Sequence, residues 1–211
     1  EPYRVFLRPL RDKMRITHRH IEKHLVAKKP LNRKKLLSSK EDILKPLRVV
    51  RESLEQNQSE NIASGELLDL MRRAKCFGIN LAKIDIRQES SRHAQLLTEF
   101  LKRNNGSNYL SWDEDRRIKY LSNAIKTKNK TFKNFIFKKK ENNEVWSTFK
   151  ILADEPSECL GAYVISMTSA ASDVLAVYLM QMQANIKNKL RVVPLFETLQ
   201  DLKNAKSIME K

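Results

Sequence analysis

Two residues of this chain have the chemistry to hold a charged substrate. The first lies in LAKIDIRQESSRH, Leu81 to His93, where strand-like alternation runs into seven consecutive polar residues beginning at Arg87. The second is Glu197, which follows the apolar run VVPLF, Val192 to Phe196. Arginine is a forked, permanently charged donor that matches phosphate oxygens. Glutamate is a hard oxygen ligand suited to Mg²⁺ or Mn²⁺. At neighbouring strand ends the pair suits a phosphorylated, metal-bound substrate. A purely structural alternative is an Arg–Glu ion pair closing the rim of a sheet.

Other residues carry weaker signals. His20 and His24 share one helical face, but Ile21 stands where the zinc-protease pattern needs Glu. A solvated basic helix is the better reading there, and His93 is expected on a helix surface. Asp85 falls opposite Ile84 and Ile86 in the alternation; Arg87 or a lysine would be its partner, in a structural role or as a support behind the site residues. Ser166, Thr168 and Ser169 follow a strand without any His or Asp motif to activate them. Cys76 and Cys159 sit in apolar surroundings without metal or redox spacing, which predicts buried reduced thiols.

The elements that must position these groups are mostly helices. Apolar residues at three- and four-residue steps predict a helix over 3–27. Residues 28–40 read as an exposed basic loop. A second helix opens at Glu41-Asp42, and a third runs from Ile62 to Phe77, with Leu67, Leu68, Leu70 and Met71 toward a core and Gly78 as a left-handed stop. Residues 80–86 predict a buried strand, and 91–104 a helix. Ser111 and Glu114 have the spacing of a capping box. Phe132, Phe135 and Phe137 among lysines read as an extended edge, with a helix over Val145 to Ala153. Ala162 to Met167 is a buried strand, Ser172-Asp173 caps a helix through Asn185, and Val192 to Phe196 is a third strand before a helix through 210.

Three short hydrophobic strands, each followed by a helix, predict an α/β fold with parallel strands. Helices dominate, and three strands are too few to close an eight-stranded barrel. The organisation expected is a helical segment over 1–79 and a strand–helix segment over 80–211.

Composition narrows the partners. The 211 residues carry a net charge of +16. Residues 1–50 hold 15 Lys/Arg against 5 Asp/Glu, and 126–140 hold 7 Lys and no acid. Such an excess suits nucleic acid, an acidic substrate or an acidic neighbouring segment. The lysine run with its three phenylalanines resembles an RNA-binding surface, although an exposed variable insertion is the simpler reading. No segment approaches the ~20 apolar residues of a membrane span. The first helix is expected to bury its apolar face on the third rather than on a membrane. The chain opens on Glu1-Pro2, without an initiator Met or the basic and apolar regions of a signal peptide. We therefore expect a cytoplasmic protein and a piece of a longer one.

LAKIDIRQESSRH resembles the phosphoenolpyruvate carboxylase family. So, in the family's order, do EPYRVFLRPLRDKM (1–14), IASGELLDLMRRAKCFG (62–78), SWDEDRR (111–117), GAYVISMTSAASDVLAVYLM (161–180) and LRVVPLFETLQDL (190–202). The likeness covers nearly the whole chain apart from the loops at 28–40 and 126–145, and IDIRQES and VVPLFETL are long and specific. It implies a segment of a TIM-type barrel, about three of its parallel strands, within a large cytosolic homotetramer. It further implies an enzyme that joins bicarbonate to phosphoenolpyruvate, giving oxaloacetate and phosphate, with Mg²⁺ or Mn²⁺. In the family, phosphate transfer to bicarbonate yields carboxyphosphate and an enolate, whose charges cationic groups and metal hold.

By the same resemblance, Arg87 matches the active-site arginine of the DIRQES motif, near the phosphate. Glu197 matches the metal-ligating glutamate of PLFET. Arg4 matches an arginine of EPYR implicated in activator binding in some members. The family's AHPTE-type histidine, its YSDSAKDAG-type aspartate and lysine and its GRGGxxGRGG-type loop do not occur in this sequence. The 211 residues alone are therefore expected to be inactive. The competing reading is a non-catalytic basic helical module that binds anionic partners such as nucleic acid.

Overall fold

A computed structural model describes residues 1–27, 36–127, 132 and 134–211. The chain forms two compact units, Glu1–Ala82 and Lys83–Lys211.

The first unit is helical: α1 (Pro2–Ala27), α2 (Glu41–Gln56), the single turn α3 (Glu60–Ala63) and α4 (Glu66–Phe77). Leu44, Leu47, Val50 and Leu54 recur at three- and four-residue steps and form the buried face of α2. Tyr3 and Leu7 of α1 pack against Val50 and Leu54, where Ala63 and Leu67 join them. Tyr3 Oη lies 3.1 Å from Ser53 Oγ. The main partner of α1 is thus α2, and α4 contributes only Leu67 to this cluster. Much of the apolar stripe of α1 stays open within the chain: Phe6, Met14 and Leu25 are all exposed.

The expected helix over 62–77 is two helices. Gly65, at φ −87° and ψ −129°, is outside helical geometry and separates them. Leu70 is exposed, and Ala74 is the buried residue of α4. Gly78 does stop α4, but at φ +62° and ψ −137°, a positive-φ region open to glycine rather than the left-handed helical one.

The second unit alternates strands with helices: β1 (Ile84–Glu89), α5 (Ser90–Asn105), α6 (Glu114–Thr127), α7 (Lys140–Asp154), β2 (Leu160–Ser166), α8 (Ala171–Gln183), β3 (Val192–Pro194) and α9 (Leu199–Met209). The strands form one parallel sheet in the order β1-β2-β3. The α/β class with three parallel strands and many helices is therefore what the chain adopts.

The central strand β2 is buried from Ala162 to Ile165, as a parallel strand covered on both sides should be. β1 is different. It starts four residues later than expected and includes Arg87, Gln88 and Glu89. It is also an edge strand, with Ile84 64% exposed, so its alternation marks a sheet edge rather than full burial.

Tyr163 and Ile165 of β2, Leu96, Leu97 and Phe100 of α5, Trp146 and Phe149 of α7, and Val177 and Met180 of α8 share one core. Phe132 and Phe137 are buried in it. They form no exposed edge and offer no stacking surface to nucleic acid. Lys128, Lys130 and Lys133 of the basic run lie outside the described residues.

Polar side chains fix the connections. The Gln181 amide pairs with both backbone groups of Leu190, at 2.7 and 3.1 Å. Glu99 of α5 accepts from Lys138 N at 2.6 Å and Asn142 Nδ2 at 2.7 Å, holding the start of α7. Ser111 is not a cap. Asp113 caps α6 by accepting from Arg116 N at 2.8 Å. Glu114 instead accepts from Ser172 N at 2.9 Å and Ser172 Oγ at 2.6 Å, which ties α6 to α8. Asp173 accepts from Ser169 N and Ala170 N and closes the start of α8. Thr198 and Asp201 form a reciprocal capping box on α9.

Candidate functional site

The candidate residues lie where the three strands end. In β1, Ile86 packs toward the helices. By the two-residue period, Arg87 and Glu89 stand on the other face of the sheet. Arg87 pairs in register with Val164, two residues short of the strand end, and is exposed. Its side chain has no hydrogen bond or ion pair among the described residues, so the guanidinium fork is available to a ligand. The rim ion pair considered for it does not form.

Asp85 has a different task. Its Oδ1 accepts from Ala162 N at 2.7 Å. The ladder shifts by one residue here, from Ile84↔Leu160 to Ile86↔Tyr163, and the carboxylate satisfies the irregularity. A Cβ on Gly161 would collide with that oxygen, so the glycine makes room for it. Its partner is therefore backbone, not Arg87 or a lysine, and its role is structural.

The polar run after Arg87 forms a local network. Gln88 Oε1 accepts from Glu89 N at 3.0 Å, and Ser91 Oγ donates to Glu89 Oε1 at 2.6 Å. Ser90 Oγ reaches across to the end of β2 and donates to Met167 O at 2.7 Å. Met167 N donates to Glu197 Oε2 at 3.1 Å, beyond the end of β3. Met167 has φ +54°, in the left-handed region. This link between Ser90, Met167 and Glu197 is legible in no single motif, because it joins three separate segments. Thr168 is buried and donates to Ile165 O at 2.9 Å, a structural bond rather than a nucleophile.

Glu197 is exposed, and its second carboxylate oxygen has no partner among the described residues. It suits a divalent cation as one hard oxygen ligand. No group of three or more His, Cys, Asp or Glu that could hold a metal occurs among the described residues. Among the described residues, Glu197 is a single candidate donor and not a coordination shell. Arg4 lies in the other unit, where Nη1 pairs with Glu1 Oε2 at 2.9 Å on the surface.

His93 overturns its expected place. It is fully buried in α5, and Nε2 lies 2.8 Å from Tyr163 Oη beneath the sheet. Burial pushes its pKa down to about 3, so the ring is neutral, and Nδ1 has no partner among the described residues. The same burial pushes the Tyr163 hydroxyl above its usual range. Arg92-His93 reads as polar in sequence, and only α5's register against the sheet turns the imidazole inward. Cys76 is exposed and Cys159 partly exposed, contrary to the buried thiols expected. His18 and His20 are solvated, His20 bonding Ile16 O and His18 facing Glu22. A groove between α2 and α4 is lined by Arg48, Arg51 and Arg72, but each is paired with a carboxylate of its own helix.

A family model described as phosphoenolpyruvate carboxylase matches residues 1–211. Curated relatives bear the same name. That of Acinetobacter baumannii is 39% identical over 99% of this chain and 24% of its own length. That of Pseudomonas entomophila is 40% identical over 100% of this chain and 24% of its own. A plant relative from Flaveria pringlei is 40% identical over 99% and 22%. The chain thus spans about a quarter of the length of these relatives. With a family model matched from end to end, the chain belongs to the phosphoenolpyruvate carboxylase family.

Proposed function

We propose that this chain is the central part of a carboxylase that joins bicarbonate to phosphoenolpyruvate, giving oxaloacetate and phosphate, and that it contributes part of the active site. The observation that carries this reading is the exposed Arg87 on β1, whose side chain has no partner among the described residues, in a sheet whose strand ends also present Glu197. In this reading Arg87 holds the phosphate through its fork, a geometry Lys cannot reproduce. Glu197 supplies one oxygen to Mg²⁺ or Mn²⁺. When bound, the ion would draw electron density from substrate oxygens and screen their charge. Arg87 adds fixed positive charge that needs no reorganisation as the phosphate moves.

The three parallel strands are then a segment of a TIM-type barrel, with the site at the carboxyl ends. Residues 1–79 are a helical segment, and 80–211 the strand–helix segment. The remaining strands, ligands and catalytic groups come from the rest of a longer chain, which forms a cytoplasmic homotetramer. Arg4 belongs to an activator site. No helix among the described residues is long and apolar enough to cross a membrane. The reading as a nucleic-acid module is disfavoured because Phe132 and Phe137 are buried.

The test is Arg87→Ala in the full-length enzyme, read as phosphate release from phosphoenolpyruvate with bicarbonate and Mg²⁺. We expect a fall in kcat/KM of about 10³-fold, the scale of losing a charge-stabilising donor. A rate within twofold of the parent removes Arg87 from the site.

A further inference from the structure

We propose that Ser90 and Met167 are positioning residues for Glu197, acting as a latch made from the backbone of Met167. The inference rests on the reading of Glu197 as a metal ligand. Met167 stands immediately after β2 at φ +54°, a conformation that side chains other than glycine rarely adopt. Such a conformation persists only where its surroundings over-determine it. Here both backbone groups of Met167 are engaged. Its N–H donates to Glu197 Oε2 at 3.1 Å, and its carbonyl accepts from Ser90 Oγ at 2.7 Å. The first contact comes from the exit of β3, the second from the residue after β1.

The latch therefore ties together the ends of all three strands. Rotating Met167 back to extended geometry would swing its N–H away from Glu197. Ser90 opposes that rotation by holding the carbonyl on the other side of the residue. The consequence for Glu197 is directional: one oxygen is fixed by Met167, and the other is left open. Metal-ligating carboxylates are commonly oriented by such hydrogen bonds from behind. Ser90 is also three residues from Arg87, so the position of β1 is coupled to that of the carboxylate. The Met167 side chain has no part in this; only its backbone conformation does.

The test is binding of Mn²⁺ alone, without substrate, to the full-length enzyme, measured by electron paramagnetic resonance. Glu197→Gln sets the scale of losing the ligand itself. Ser90→Ala should weaken Mn²⁺ binding about tenfold, within the range for groups that orient a ligand. Ser90→Thr keeps the hydroxyl and should return affinity to within about twofold of the parent. Met167→Gly keeps both backbone groups at a comfortable positive φ and should also bind within about twofold. If Ser90→Ala binds like the parent while Glu197→Gln does not, the latch is wrong and the ligand reading stands. Failure of Ser90→Thr to restore affinity, or a tenfold loss in Met167→Gly, also overturns the latch. If Glu197→Gln binds Mn²⁺ as tightly as the parent, the underlying reading fails instead.

Discussion

The junction of α5 with α7 and the ends of the strands use similar residues in opposite ways. At the junction, Glu99 is buried. It accepts from Lys138 N, Lys139 N and Asn142 Nδ2, and Arg103 lies 3.5 Å away. Burial pushes its carboxyl up, but these bonds and the Arg103 charge outweigh it and hold the pKa below the usual range. At the strand ends, among the described residues, the exposed Glu197 side chain has one contact and the Arg87 side chain has none. A saturated carboxylate holds a fold together. A carboxylate with an open oxygen and an arginine whose side chain has no partner among the described residues, presented by the two outer strands of one sheet, have binding capacity left. Partner count and burial separate the saturated Glu99 from the open Glu197 where residue type does not.

That contrast predicts a double dissociation. Arg87→Ala should cost activity by about 10³-fold, worth about 4 kcal/mol. Its thermal stability should stay within about 0.5 kcal/mol, as for an exposed residue without partners. Glu99→Ala should do the reverse. It strands three donors near the start of α7, so we expect a loss of about 3 kcal/mol. Hydrogen exchange over residues 138–145 of the full-length protein checks this, and unchanged protection there would contradict the structural role. Its activity per folded molecule should remain near that of the parent.

A smaller effect should follow pH. His93 is neutral when folded, with a pKa near 3, against ~6.5 when exposed. Between those values the unfolded state binds the extra proton, so stability falls as pH drops below ~6.5. At pH 5 the loss is about 2 kcal/mol. Protection of β1 and β2 amides should fall by this amount between pH 7 and 5, and His93→Phe should flatten the dependence. An unchanged slope in that variant would place the acid sensitivity elsewhere.

The smallest effect belongs to Arg4. Its ion pair with Glu1 is surface-exposed and worth little. Arg4→Ala should leave basal turnover within about twofold while blunting activation by an anionic effector. A strong loss of basal turnover would move Arg4 out of the activator role.

Most of the fold was legible in the sequence. Periodicity located the long helices and β2, because a buried run such as AYVIS has no other stable use. The register of β1 was not legible, because its apolar residues mark an edge and its polar ones belong to the strand. The break at Gly65 and the inward turn of His93 were missed for related reasons: each depends on packing against another segment. Arg87 and Glu197 stood out by type and position. The Ser90–Met167–Glu197 link did not, since a positive φ at a methionine leaves no mark in composition or spacing. Glu114 shows the same limit. Its spacing from Ser111 suggested a cap, yet its partner is Ser172, 58 residues away.

The central claim is that the chain carries part of a carboxylase site and not the whole. The most direct measurement compares the isolated 211 residues with the full-length protein, as phosphate release from phosphoenolpyruvate with bicarbonate and Mg²⁺. We predict turnover by the full-length protein and none by the isolated chain. Turnover by the isolated chain, or none by the full-length protein, would contradict the account.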